Sequence, residues 1–73
     1  MGQELPSMRA REVVAILKRA GFVDDRQKGS HLALAKGSRT ATVPMHPSDL
    51  PKGTIRSIID QAGMTVDEFL VLR

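Results

Sequence analysis

The chain contains no cysteine, tryptophan or tyrosine, and its only aromatic side chains are Phe22 and Phe69. Without cysteine there is neither a disulfide framework nor a thiolate zinc site, a usage that suits a reducing cytosol. Its two histidines alone fall short of a usual zinc ligand set. Both phenylalanines fit core positions, so the base-stacking platform of sequence-specific single-strand readers is missing. No apolar run approaches the roughly 18 residues that span a bilayer. The N-terminus lacks the basic-then-apolar order of a secretory signal. Pro6 stands where a myristoylation motif wants serine or threonine. Gly-rich nucleotide-binding patterns, internal repeats and low-complexity segments are also absent. The expectation is a soluble cytoplasmic protein with no membrane partner, metal, cofactor or small-molecule ligand.

What remains is small. Seventy-three residues and 8.0 kDa allow one domain, and so short a chain buries only about 60% of its unfolded surface. The net charge of +3 says less than its distribution. Arg26, Lys28, Lys36, Arg39, Lys52 and Arg56 face a single acid, Asp49, in the central stretch. Asp24, Asp25, Asp60, Asp67 and Glu68 gather on either side of the basic residues. A central basic zone suits a polyanion, and equally a solvated lysine-rich surface.

Periodicity orders the elements. Residues 1–6 read as a flexible lead-in. Ser7 is a plausible N-cap for a helix to Ala20, with Gly21 just beyond. Ala10, Val13, Val14, Leu17 and Ala20 form its apolar stripe, with Ile16 at the edge. Phe22 to Lys28 reads as a first strand of poor alternation. His31 to Lys36 and Arg39 to Met45 form a hairpin around Gly37-Ser38, a pair that fits a type II′ turn. That register opposes Lys36 with Arg39, Leu34 with Ala41 and Leu32 with Val43, and puts these apolar side chains on the core face. The other face carries Ala33, Ala35, Thr40 and Thr42, and His31 opposite Pro44. Pro44 and Pro47 end the sheet. A second helix runs from Pro51 or Lys52 to Ala62, with Ile55, Ile58, Ile59 and Ala62 inward and Gly63 beyond. Thr65 and Glu68 form a capping-box pattern for a short last helix, Val66 to about Leu72. The class is α+β, with both main helices on one face of a three-stranded antiparallel sheet.

One segment stands out chemically. Arg26-Gln27-Lys28-Gly29-Ser30-His31 packs two cations, a Gly-Ser corner and an imidazole into six residues. Cations and backbone N–H groups bind phosphate, glycine lets a backbone approach closely, and histidine exchanges protons near neutral pH. By itself the segment suits a phosphodiester site, or a turn beside an inconsequential surface histidine.

The patterns REVVAILKRAGF, RQKGSH and TVPMHPSDLPKGTIRSIIDQAG, in that order over Ser7 to Gly63, resemble the HicA toxins of bacterial toxin–antitoxin pairs. The joint occurrence of GF, QKGSH, VP-x-H and KGT-x-x-S-I-x-x-QAG carries the resemblance. It implies a double-stranded-RNA-binding-domain-like α-β-β-β-α fold over residues 7–63, with residues 64–73 a helical tail that is not diagnostic. It further implies a metal-independent endoribonuclease acting on mRNA and silenced by a HicB-type antitoxin. The family's catalytic histidine falls on His31, and its neighbouring glycine on Gly29.

Metal-free cleavage of RNA uses its own 2′-OH as nucleophile, so the enzyme must move protons and stabilise charge on the phosphoryl oxygens. Histidine serves either proton step, while Arg26, Lys28 and the Gly29-Ser30 backbone suit the electrostatic part. His46, diagonal to His31 in the inferred hairpin, is a second proton-transfer candidate or merely orders its proline-flanked loop. Lys52, Gly53 and Thr54 suit a phosphate at a helix start, or plain capping; Ser30 is a phosphate ligand or a turn residue. Two other functions fit the same residues: a non-catalytic RNA-binding module of this fold, and a protein-interaction domain whose basic face docks an acidic partner.

Overall fold

The computed structural model describes residues 4–73. Its elements are β1 (Met8–Arg9), α1 (Ala10–Arg19), β2 (Val23–Lys28), β3 (His31–Lys36), β4 (Arg39–Pro44), β5 (Asp49–Leu50), α2 (Lys52–Ala62) and α3 (Val66–Val71). The main sheet is antiparallel in the order β2-β3-β4, and β1 and β5 form a separate two-stranded piece. The result is α+β, in the α-β-β-β-α order of a double-stranded-RNA-binding domain.

The central hairpin has the expected register: Lys36↔Arg39, Leu34↔Ala41, Leu32↔Val43 and His31↔Pro44. Gly37 has φ +60° and no non-glycine residue among those described has positive φ. That excludes a type I′ turn, which needs two positive φ values, and fits type II′. Leu34, Ala41 and Val43 are fully buried, and the half-buried Leu32 packs against them. Thr42 directs its N–H to Gln61 Oε1 (3.0 Å), so α2 satisfies part of the outer edge of β4. The weak alternation of β2 has a physical source. Its pairing shifts between Asp24 and Arg26, where Asp25 is the extra residue of a bulge. Phe22 lies outside this strand and inside the core, its N–H bonded back to the Leu17 carbonyl as α1 ends.

Three expectations need correction. The first helix begins at Ala10 with Arg9 as N-cap, not after Ser7. Met8 pairs with Leu50 instead, which buries both side chains while the Arg9 N–H finds Glu12 Oε1 at 3.2 Å. Within the lead-in, Leu5 is only 4% exposed and belongs to the core; residues 1–3 lie outside the described residues. Ile16 is buried rather than marginal, because α1 is covered from two sides, by β4 and by α3.

The second helix ends where Gly63 takes φ +72°, a left-handed conformation that spares glycine alone a steric cost. Thr65 and Glu68 form the reciprocal cap: Thr65 N–H donates to Glu68 Oε1 (2.8 Å) and Glu68 N–H to Thr65 Oγ1 (3.1 Å). The helix so anchored places Phe69, fully buried, in the same core as α1 and α2. Residues 64–73 are thus part of the packed domain.

Candidate active site

His31 opens β3 at the end of a two-residue turn, Gly29-Ser30. Gly29 has φ +59°, and a Cβ built there would meet nothing within 4 Å, so the turn's backbone is open to an approaching ligand. In a two-residue hairpin the flanking residues face each other directly; here they are Lys28 and His31. On its other side His31 faces Pro44 of β4. The next row on the same face is Arg26, Ala33 and Thr42.

Alternation settles the direction of these side chains. Leu32 and Leu34 turn inward to the helices, so His31, Ala33 and Ala35 turn outward. Arg26 and Lys28, paired with Ala33 and His31, share that open face. Directly opposed residues keep their Cβ atoms about 4.5–5.5 Å apart, so one phosphate is within reach of both Lys28 and His31. Both are exposed, as is Arg26. Beyond them the face carries Ala33, Ala35, Thr40, Thr42 and the exposed Val23 opposite Ala35, and no aromatic. Gln27 Nε2 donates to the Gly29 carbonyl (3.3 Å), and the Ser30 carbonyl accepts the Met45 N–H (2.5 Å). Ser30 therefore ties the turn to the segment after β4 through its backbone.

His46 follows the end of the ladder. The ladder ends at the His31↔Pro44 pair, and the His46 N–H turns back to the Pro44 carbonyl (3.0 Å). This tight turn takes His46 out of strand register, so the diagonal spacing of sheet neighbours does not apply to it. It lines a depression with Arg9 and Arg11 at the start of α1. Arg9 and Arg11 lie off the apolar stripe of α1, where spacing marks them only as solvated. No signal in the sequence joins them to His46.

Lys52 and Thr54 are also outside the His31 row. The end of α2 lies beside β4, with Gln61 bonded to Thr42 and Gly63 against Arg39 at the opposite end of that strand from Pro44. The start of α2 therefore points toward the His31 end of the molecule, but within the helix layer rather than on the open face. Among the described residues, no three His, Cys, Asp or Glu side chains cluster as a metal site would need. A concavity of about 1000 Å³ sits around Phe22, Gly37, Arg39, Ala62, Met64 and Leu72. It is at the far end of the sheet from His31 and contains none of the candidate residues.

An exposed imidazole beside one cation, with a second cation in the next row and an open turn backbone, has the parts to seat a phosphodiester and exchange a proton with it. No helix among the described residues is long and apolar enough to cross a membrane. The family model of the HicA toxin of bacterial toxin–antitoxin systems matches residues 10–64. No curated protein matches the chain.

Proposed function

Because the chain belongs to the HicA family of bacterial toxins, we propose that it is a metal-independent endoribonuclease that cleaves mRNA in the cytoplasm and is held inactive by a HicB-type antitoxin. The observation that carries this reading is the Lys28–His31 cross-strand pair on the open face, beside the Gly29-Ser30 turn.

The chemistry follows from that arrangement. The 2′-oxygen forms a bond to phosphorus, the bond from phosphorus to the 5′-oxygen breaks, and a 2′,3′-cyclic phosphate and a 5′-hydroxyl result. The 2′-OH loses a proton and the departing 5′-oxygen gains one. His31 carries one of these transfers, with water completing the other, and a positioned proton-transfer group contributes about 10²–10⁴-fold. Lys28 and Arg26 balance the negative charge that builds on the phosphoryl oxygens, and the N–H groups of the turn add donors. No aromatic side chain stands on the open face for bases to stack on, so the reaction reads backbone rather than sequence.

The test is incubation of the purified chain with a long mRNA in EDTA, beside His31→Ala. Cleavage by the parent, with a loss of about 10²–10⁴-fold in the variant and an unchanged circular dichroism spectrum, is expected. Equal cleavage by both proteins would remove His31 from the site. RNA binding without cleavage by the parent would favour the non-catalytic RNA-binding module.

A further inference from the structure

One hydrogen bond connects the His31 site to a second cationic surface. Because the Met45 N–H is bound to the Ser30 carbonyl, residues 45–47 leave the sheet alongside the Gly29-Ser30 turn. They then form one wall of a depression of about 380 Å³, whose other lining residues are Arg9, Ala10 and Arg11. Arg9 is held in place there. Its Nη1 donates to the Pro47 carbonyl (3.0 Å), and its Nε lies 3.8 Å from Asp49 Oδ1. A guanidinium has five N–H donors, so this anchoring leaves others free to face a ligand. Arg11 and His46 are exposed, and their side chains have no hydrogen-bond or ion-pair partner among the described residues. Glu12, the acid next in sequence, is engaged with the Arg9 backbone and with Arg73 (3.7 Å). Asp49 is also close, and among the described residues its ion pair is with Arg9.

We propose that this depression is a second phosphate seat, taken by an RNA nucleotide flanking the one held at His31. The proposal rests on the ribonuclease reading and extends it from a single phosphate to a track of at least two. Three observations favour nucleic-acid backbone as the occupant. The side chains free to act are donors suited to phosphate oxygens, no aromatic lines the depression, and it adjoins the turn beside the scissile position. In this arrangement His46 is a phosphate ligand through its imidazole N–H and takes no part in proton transfer.

The experiment uses the full chain carrying His31→Ala, which leaves RNA uncut, and measures fluorescence anisotropy of a labelled uridine 12-mer over a salt series. Adding Arg11→Ala is expected to lower the slope of log affinity against log salt by about 0.7. The loss at 50 mM salt is then about threefold larger than at 200 mM. Adding His46→Ala instead is expected to weaken binding as well. Lys18→Ala, on another part of α1, serves as the control for long-range charge. Unchanged affinity and slope in the Arg11 and His46 variants would overturn the track and leave the His31 site standing. An equal loss in the Lys18 control would overturn it too, since the effect would then not be local. So would a His46→Ala protein with His31 intact that binds the 12-mer normally and cleaves it slowly, because His46 would then serve the proton transfer. Failure of the His31→Ala parent to bind RNA at all would instead sink the ribonuclease reading itself.

Discussion

Replacing Phe69 with alanine tests whether the last helix is structural or a detachable handle. The ring is fully buried within the core, on a helix that packs against α1 and α2. Truncating a buried phenylalanine costs about 3–5 kcal/mol, from lost transfer energy and the cavity left behind. A chain of 73 residues has roughly 4–11 kcal/mol of stability in total at ~0.05–0.15 kcal/mol per residue. The substitution therefore removes a large share of what holds the domain together. At about 4–8 °C per kcal/mol for a domain of this size, Tm should fall by at least ~12 °C. Lacking tryptophan and tyrosine, the protein is best followed by far-UV circular dichroism during thermal and urea unfolding. Val71→Ala, at a position 81% exposed on the same helix, provides the comparison and should stay within about 0.5 kcal/mol. If Phe69→Ala cost less than about 1 kcal/mol, well short of that range, α3 would not be docked as described and its capping box would serve a free segment.

Two further perturbations follow from the geometry. Gly63→Ala places a side chain at φ +72° and drives its Cβ into the Arg39 guanidinium; it should cost about 1–2 kcal/mol, and a neutral result in urea unfolding would contradict the left-handed helix end. Lys28→Glu sets a carboxylate opposite His31 on an exposed position with no ion pair among the described residues; stability should hold while RNA affinity falls most at low salt, and unchanged binding across a salt series would remove this row as the phosphate seat.

Much of the architecture was legible because its signals are local. The Gly37-Ser38 pair set a two-residue loop, and a two-residue loop sets the register of both strands. That register puts His31 on the open face opposite Pro44, and the two residues pair there. Pro51 and Gly63 bounded α2, and Thr65 with Glu68 marked the start of α3, each through backbone chemistry within one helical turn. The irregular alternation of β2 was legible too, although its meaning, a bulge at Asp25, needed the partner strand.

What could not be read depends on neighbours far along the chain. Met8 looks helical until Leu50 offers it an extended partner. Leu5 looks like part of a loose end until a core exists to receive it. Arg19 reaches the Leu72 carbonyl across 53 positions, and Arg9 reaches that of Pro47 across 38. No periodicity encodes such pairings. The same holds for the candidate site. The sequence places Lys28 and His31 within one short segment, but their cross-strand pairing emerges only when β2 folds back on β3 through the Gly29-Ser30 turn. That His46 lines a depression with Arg9 and Arg11 depends on the tight turn after Pro44 and on the packing of α1, neither of which local pattern reveals. Short-range backbone preferences make the elements; the burial of shared apolar faces decides which distant charges meet.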